Sequence, residues 1–226
     1  MKKFSIRKDL ELIQTLVEKD KKILDIGCGE GELIKKLEID KYADTRGLEI
    51  NGNLVRDALS NGLSIVQGDA EKDLDQYSDG SFDYVILSKT LQAMHNPKDI
   101  LIELLRIGEK AIVSFPNFGY WKIRVQLLIK GEMPITENLP YSWYETPNIH
   151  FFTIRDFQEL CKQLNIHIEK SIGLTTSGNQ FEIKNKSLFA NLLTNEAIFV
   201  LSKKIYKPIK IRDKKKIPAT SRIAPA

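Results

Sequence analysis

A glycine-rich segment that starts with an acid is the strongest chemical signal in the chain. It reads Asp25-Ile26-Gly27-Cys28-Gly29-Glu30-Gly31 and lies between a predicted strand and a predicted helix. Glycines at such a junction let the backbone turn tightly and approach a bound ligand closely. The spacing is GxGxG rather than the GxGxxG of dinucleotide sites, and no Gly-Lys-Ser/Thr follows. The segment therefore predicts a ligand site for which a pyrophosphate is not the best-fitting ligand.

Two further acids end the next two predicted strands. Glu49 ends the strand at 46–50, and Asp69 ends the strand at 63–69. In open α/β sheets, ligands bind outside the carboxyl ends of the strands, where the strand order reverses. An acid there can accept both hydroxyls of a ribose, and one on the next strand can accept an adenine amino group. Together with Asp25, these acids favour a ligand with a ribose, an amine and a cationic centre, and they repel phosphates.

Short apolar runs that alternate with helical patterns predict the elements that position these acids. The runs lie at 22–28, 46–50, 63–69, 82–88, 110–116, 166–172 and 197–203. The helical patterns lie at 7–20, 31–39, 53–61, 97–107 and 153–164. Ile/Val/Leu-rich strands separated by helices predict a parallel sheet buried on both faces. Right-handed crossovers then give a doubly wound α/β fold, and we expect a mostly parallel, seven-stranded sheet with helices on both faces.

The pattern changes at about 117–150, where aromatic residues and prolines accumulate. The aromatic side chains of interest are Tyr120, Trp121, Tyr141, Trp143 and Tyr144. A long insertion of this kind is usually a functional lid or binding loop. The same side chains could instead pack the insertion onto the edge of the sheet. We expect a single domain over 1–204 that includes this insertion, followed by a basic tail at 205–226 without fixed structure.

Composition and charge disfavour several classes of protein. The 226 residues are 42% hydrophobic, and the two cysteines form no CxxC, which disfavours a disulfide scaffold or a zinc module. No apolar run has the length of a membrane helix, and the basic N-terminus lacks the apolar core of a signal peptide, so we expect a cytoplasmic protein. Residues 203–226 hold nine lysines and arginines and one acid, Asp213. The net charge of +4 therefore conceals a mildly acidic body, which disfavours a nucleic-acid enzyme with a basic groove.

Residues 20–116, with the glycine segment and the acids that follow it, resemble the class I S-adenosylmethionine-dependent methyltransferases. That resemblance implies a Rossmann-like methyltransferase fold. It also implies S-adenosylmethionine (SAM), or the S-adenosylhomocysteine that it leaves behind, as the cofactor. The implied cofactor-binding residues are Asp25, Gly27, Gly29, Gly31, Glu49, Ile50, Asp69, Ala70 and Ser88.

The resemblance also implies a role for most of these residues. The three glycines would border the methionine part of the cofactor, and Asp25 would orient that part directly or through water. Glu49 would hold the ribose, while Asp69 with Ala70 would hold the adenine. Ser88, at the end of a predicted strand, would sit near the transferred methyl group.

Longer motifs narrow the resemblance to the MetW family of methionine-biosynthesis proteins, over about residues 8–203. Besides the glycine segment, the motifs are Ile86–Ala93, Ser114–Trp121, Gly131–Pro134, Leu139–His150 and Asp156-Phe157. Two positions depart from the family pattern, because Lys89 stands where Gln is usual and Glu145 where Asp is usual. Neither departure touches the implied cofactor residues.

The MetW resemblance implies a methionine-pathway protein that works beside the homoserine O-acyltransferase MetX, and it implies no particular methyl acceptor. N-methyltransferases of the Asn/Asp-Pro-Pro-Tyr type carry that tetrapeptide after the fourth strand, where this chain reads Ser88-Lys89-Thr90-Leu91. A SAM-binding accessory protein is therefore one hypothesis. A catalytic methyltransferase for an unidentified small molecule is the alternative, because methyl transfer from a sulfonium can run on positioning alone. RNA methylation guided by the basic tail is a third and weaker hypothesis.

Three other side chains could face a methyl acceptor. His95 could be a general base, or an ordinary histidine at the start of a helix. His150 could face the acceptor pocket, or be a structural histidine beside Phe151. Arg124 could bind an acceptor carboxylate, or lie on the surface of a helix. The sequence assigns no catalytic residue and no metal site.

Overall fold

The alternating apolar runs form one sheet with helices packed on its faces. The computed structural model describes residues 7–136, 139–184 and 187–203, so the predicted tail lies outside the described residues. The strands are β1 (Lys22–Ile26), β2 (Asp44–Glu49), β3 (Ile65–Gln67), β4 (Phe82–Ser88), β5 (Gly108–Pro116), β6 (Ile166–Leu174), β7 (Gln180–Glu182) and β8 (Glu196–Lys203). The helices are α1 (Lys8–Leu16), α2 (Glu32–Lys41), α3 (Gly52–Ser60), α4 (Ala70–Asp73), α5 (Pro97–Ile107), α6 (Trp121–Lys130), α7 (Ile154–Gln163) and α8 (Leu188–Leu193).

The strand order creates the crevice in which ligands bind in this class of fold. The order is β3-β2-β1-β4-β5-β8-β6-β7. All pairs from β3 to β5 are parallel, and β8 enters antiparallel between β5 and β6. The chain steps outward from β1 to β3 and then returns to the other side of β1 as β4. The order therefore reverses between β1 and β4, and a crevice opens at their carboxyl ends.

The sheet has eight strands rather than the predicted seven. All seven predicted strands are present, and the additional one, β7, pairs antiparallel only with Ile172–Leu174 at the end of β6. Its three residues carry no apolar run. A turn in which the backbone N–H of Thr175 donates to the carbonyl of Asn179 brings β7 alongside β6, so a local turn rather than hydrophobic patterning creates this strand.

Apolar side chains fill a core on each face of the sheet. On one face, Leu24 and Ile26 of β1 belong to a cluster that includes residues of α5 and α7. On the other face, Ile23 packs in a cluster with residues of α1 and α2. Burial on both faces fixes the central strands, so residues at their carboxyl ends are held by a rigid frame. Among the described residues, no helix is long and apolar enough to cross a membrane.

Helix α6 lies inside the predicted aromatic insertion, where the sequence predicts no helical pattern and a helix is only the alternative interpretation of Arg124. It ends at Gly131, whose φ of +66° and N–H bond to the carbonyl of Leu127 form a left-handed cap. Ile123 is its one buried residue and packs with Tyr120 and Leu139. The helix was not predicted because apolar residues lie on its exposed side, with Trp121, Val125 and Leu128, as well as on its buried side, with Ile123, so no single apolar stripe marks a core-facing side.

Candidate functional site

The glycine segment forms the turn between β1 and α2, and its backbone geometry requires glycine. Gly27, Gly29 and Gly31 have φ angles of +69°, +58° and +79°, in the left-handed region that strains other residues. A Cβ on Gly27 would lie 2.7 Å from Thr90 Oγ1, and one on Gly31 would collide with the side chain of Leu63. The turn at the carboxyl end of β1 is therefore built on three positions where a side chain would be strained, two of them also too crowded for a Cβ.

Glu49 fastens this turn to the end of β2. Its Oε2 accepts a hydrogen bond from the backbone N–H of Gly29 at 2.9 Å, and its Oε1 accepts one from the N–H of Asn51 at 2.9 Å. The side chain is buried. Each carboxylate oxygen has two lone pairs, so both oxygens keep capacity to accept a ligand hydroxyl.

Asp25 is the other buried acid of the site. Burial raises its pKa to about 7, the negative charge of Glu49 acts in the same direction, and the guanidinium of Arg7 opposes the shift. The carboxyl is therefore close to its protonation midpoint at neutral pH. A cationic ligand beside Asp25 would favour the ionised form.

The pH dependence of stability should reveal the proton on Asp25. A carboxyl that is protonated up to about pH 7 in the folded chain, but ionised above about pH 4 in the unfolded chain, binds more protons when folded. Its contribution to stability therefore falls as the pH rises from 4 to 7. Relative to Asp25→Asn, we expect the wild type to lose up to about 1.4 kcal/mol of unfolding free energy per pH unit. Denaturant titrations between pH 4.5 and 7.5 measure this, and parallel curves for the two proteins would contradict it.

Ser88, at the end of β4, belongs to a polar network that reaches the first turn of α1. Its Oγ accepts a hydrogen bond from Arg7 Nη2 at 2.9 Å and donates to Asp9 Oδ2 at 3.1 Å, while Ser114 Oγ donates to it at 3.1 Å. Arg7 also donates to both carboxylate oxygens of Asp9, at 3.1 and 2.6 Å. Although burial opposes it, the bond from Arg7 and the charge of Lys89 hold the pKa of Asp9 below its usual value. The network ties α1 to the mouth of the crevice.

Lys89 extends the network toward β8 and has a strained backbone. Its φ of +53° lies in the left-handed region, which is costly for a residue with a side chain and recurs at functional positions. Its Nζ lies 2.8 Å from Glu196 Oε1 and 3.7 Å from Asp9 Oδ1. Its backbone N–H donates to the carbonyl of Ser114 at 2.9 Å. Lys89 thus closes an ion-pair network directly after β4.

An open cleft of about 480 Å³ lies between the glycine turn, α1 and the end of β4. It is lined by Asp25, Gly27, Gly29, Gly31 and Ser88 of the predicted set, and also by Arg7, Leu10, Cys28 and residues at the start of α2. Burial and the neighbouring acids raise the pKa of the Cys28 thiol, so it is a poor nucleophile. Within the described parts of the chain, no group of three or more His, Cys, Asp or Glu side chains could hold a metal ion.

The residues predicted for the adenine lie outside this cleft lining. Asp69 caps α4, with its Oδ1 accepting from the N–H of Glu71 at 3.0 Å and its Oδ2 lying 2.8 Å from Lys72 Nζ. The bond from Lys72 holds the pKa of Asp69 below its usual value. Ala70 lines a separate surface depression, and Ile50 is exposed after β2. The structure therefore groups five predicted residues around one cleft, with Glu49 hydrogen-bonded to its wall.

The two histidines lie near each other but do not line the cleft. His95 Nδ1 is 2.7 Å from Glu71 Oε2, and His150 Nε2 is 3.4 Å from the carbonyl of His95. The backbone N–H of His150 donates to the carbonyl of Gln92. Both histidines thus have structural contacts, and their roles toward an acceptor stay predictions.

The other candidate side chains in and beside α6 divide by exposure. Arg124 is an exposed helix residue whose Nε donates to the carbonyl of Gly119 at 2.6 Å. Tyr120 is buried against Ile123. The other predicted aromatic side chains are exposed, and they are Trp121, Tyr141, Trp143 and Tyr144. Packing therefore accounts for Tyr120, while the exposed aromatics still require an explanation.

Arg7 and Asp9 are site residues that the sequence did not single out. A signal for Asp9 is present, because it stands four residues before Ile13 on the buried face of α1. An acid on an apolar helix face needs a buried partner. Arg7 bonds to Asp9 two residues later, but its contact with Ser88, 81 positions away, has no local signal in the sequence.

Known proteins resemble both the sequence and the fold. A family model described as methionine biosynthesis protein MetW matches residues 7–201. The bifunctional methionine biosynthesis protein MetXA/MetW of Rhodopirellula baltica is 34% identical over 175 residues, covering 73% of this chain. The chain spans only 28% of the length of that relative.

Solved structures of SAM-dependent methyltransferases share the fold. One from Thermotoga maritima has a TM-score of 0.64 at 17% identity, with 87% of this chain and 88% of that chain covered. A TehB-like one from Corynebacterium glutamicum has a TM-score of 0.58 at 17% identity, with 88% and 89% covered. At this identity the likeness establishes the fold and not the reaction. From the family match over most of its length, the chain belongs to the MetW family of methionine biosynthesis proteins and has a class I methyltransferase fold.

Proposed function

We propose that this protein binds SAM in the cleft beside β1 and β4 and adjusts the activity of a MetX-type homoserine O-acyltransferase. The observation that carries the proposal is a cleft bordered by the backbone of the glycine turn, next to the buried carboxyls of Asp25 and Glu49. Such a site suits a ligand with positive charge and hydroxyls. The fused relative supports the partner, because one chain there carries both the MetXA and the MetW names.

Each part of SAM has a matching group in this proposal. The backbone of Gly27–Gly31 would border the methionine part, and Asp25 would attract a positive centre. Arg7, whose guanidinium is bonded to Asp9 and Ser88, would have to share it with the SAM carboxylate. Glu49 would accept hydrogen bonds from the ribose. Asp69 would have to share its carboxylate between the adenine amino group and Lys72, a bond that is exposed and therefore weak.

The acceptor side of the cleft supports an accessory role. Ser88, which the family resemblance places near the methyl group, is bonded to Arg7, Asp9 and Ser114. Lys89 next to it is paired with Glu196. With these bonds in place, a substrate that approaches the methyl group from this side meets groups that already have partners. SAM would then act as a signal of pathway output rather than as a methyl donor.

A catalytic methyltransferase is the second candidate, favoured by the open cleft and by the glycine turn. If SAM is bound with its methyl group accessible, an acceptor that brings its own nucleophile can react through positioning alone. Ser88 and Lys89, at the end of β4, would then orient the acceptor. The two candidate functions differ in whether SAM is consumed: a methyltransferase uses it up, and an accessory protein only binds it.

The deciding experiment is an acylation assay with the MetX of the same source. Homoserine acylation is measured with and without this protein, and with and without SAM. We expect this protein to change the rate and SAM to modify that change, because SAM bound in the cleft would alter the affinity of this protein for the enzyme. An unchanged rate in all four conditions, with SAM bound in a parallel titration, would overturn the accessory role and favour methyl transfer to another molecule.

A further inference from the structure

Helix α6 turns its apolar stripe toward solvent. Trp121, Val125 and Leu128 stand at i, i+4 and i+7, and all three are exposed. Leu128 is 85% exposed and its neighbour Ile129 is 76% exposed. A surface helix normally buries such a stripe against its own core, yet here Ile123 is the buried residue of the helix. The outward stripe therefore lacks a partner among the described residues.

Helix α8 adds apolar side chains at the same end of the sheet. Pro116, which ends β5 just before α6, is paired with Glu196, which begins β8 just after α8. The side-chain amide of Asn117 donates to the carbonyls of Asn191 and Thr194 at 2.8 Å, which joins the two segments. The exposed side chains of α8 are Leu188, Phe189, Leu192 and Leu193. We call these, together with Trp121, Val125, Leu128 and Ile129, the apolar face.

The charges beside the apolar face narrow the kind of partner it fits. Every charged side chain of α6 is a cation, namely Lys122, Arg124 and Lys130. A second copy of this chain whose α6 packed on the first α6 across a two-fold axis would bring these cations together and be repelled. A partner with an apolar groove and carboxylates at its rim would be attracted. Large exposed apolar patches rimmed by polar groups mark interaction sites.

We infer that the apolar face docks the MetX-type acyltransferase, through a groove on that enzyme that is apolar in the middle and acidic at its rim. This inference rests on the proposed function. The cations alone would also suit an acidic membrane surface. The relative in which MetXA and MetW form one chain favours a protein partner instead. Trp121 and Leu128 would be the anchors, since a few central apolar or aromatic residues supply most of the affinity of an interface.

The test compares glutamates placed on the face and away from it. Full-length wild type, Leu128→Glu and Leu59→Glu are titrated with the MetX of the same source by calorimetry. Leu59 is a matched control, because it is 52% exposed on α3, a helix next to β2 and β3 rather than α6. We expect Leu128→Glu to weaken the complex about 30-fold or more and Leu59→Glu to change it less than threefold. The SAM titration and melting temperature of both variants should match the wild type.

Each outcome assigns the failure to one idea. If wild type and MetX form no complex, the proposed function fails together with this surface. If they form a complex that Leu128→Glu leaves unchanged, only the surface assignment fails. Wild type is also tested by sedimentation alone and with vesicles of 3:1 phosphatidylcholine and phosphatidylserine. Dimerisation or vesicle binding that Leu128→Glu abolishes, with MetX binding intact, would reassign the face to a second copy or to a membrane.

Discussion

Replacing Glu49 by alanine is expected to weaken SAM binding by roughly 10- to 150-fold, or about 1.5–3 kcal/mol. The substitution would remove the carboxylate and with it the proposed hydrogen bonds to the ribose. It would also release the backbone N–H groups of Gly29 and Asn51, which it now holds at 2.9 Å, so the glycine turn would no longer be fixed to β2. Calorimetric titration with SAM measures the effect.

Glu30→Ala is the matched control for this change. Glu30 is an exposed acid of the same turn and also lines the cleft, so its removal alters the net charge at the site equally without removing the hydrogen bonds of Glu49. We expect its SAM affinity to stay within about threefold of the wild type. If Glu49→Ala bound SAM as tightly as Glu30→Ala, the cofactor site would not be where we place it.

Gly27→Ala is expected to destabilise the fold by about 2–5 kcal/mol and to abolish tight SAM binding. The φ of +69° strains any side chain, and the added methyl group would lie 2.7 Å from Thr90 Oγ1, which adds an overpacking cost of about 1–3 kcal/mol. The methyl group would also narrow the turn that borders the ligand. Denaturant unfolding and SAM titration of the variant measure the two effects.

Gly80→Ala separates backbone strain from crowding. Gly80 has a similar φ of +62°, and a Cβ there would meet nothing within 4 Å. It precedes β4, away from the carboxyl ends of the strands, so only the strain of about 1–2 kcal/mol should appear. An equal loss of stability in Gly27→Ala and Gly80→Ala would show that the Thr90 side chain moves aside at little cost, which would contradict tight packing against Gly27.

The sheet was predictable where hydrophobic patterning determines it, and not where local turns or unusual exposure do. Strands β1, β4 and β5 are buried on both faces and appear in the sequence as continuous apolar runs. Strand β7 forms through a turn, and α6 carries apolar residues on its exposed side as well as on its buried side, so neither presents the pattern that identifies a half-buried element. Sequence periodicity predicts a helix from the apolar side that it buries, whereas most apolar side chains of α6 are exposed.

The site was predictable to the extent that strand ends determine it. The positions of Gly27 and Glu49 follow from the parallel sheet, because adjacent strand ends must meet at one edge. The contacts of Ser88 with Arg7 and Asp9 join residues about 80 positions apart, and no local pattern encodes them. The sequence also did not predict that Asp69 caps α4, because an acid between a strand and a helix can either cap the helix or bind a ligand.

The position of β8 has a consequence for synthesis of the chain on the ribosome. It is the last strand described, yet it fills the gap between β5 and β6. Until about residue 203 has emerged, a nascent chain therefore keeps two open strand edges, each lined with unpaired backbone groups. While β5 and β6 have formed and β8 has not yet emerged, the nascent chain is most exposed to incorrect strand pairing with other nascent chains on the same polysome. We therefore expect the final sheet to close late, after translation of β8.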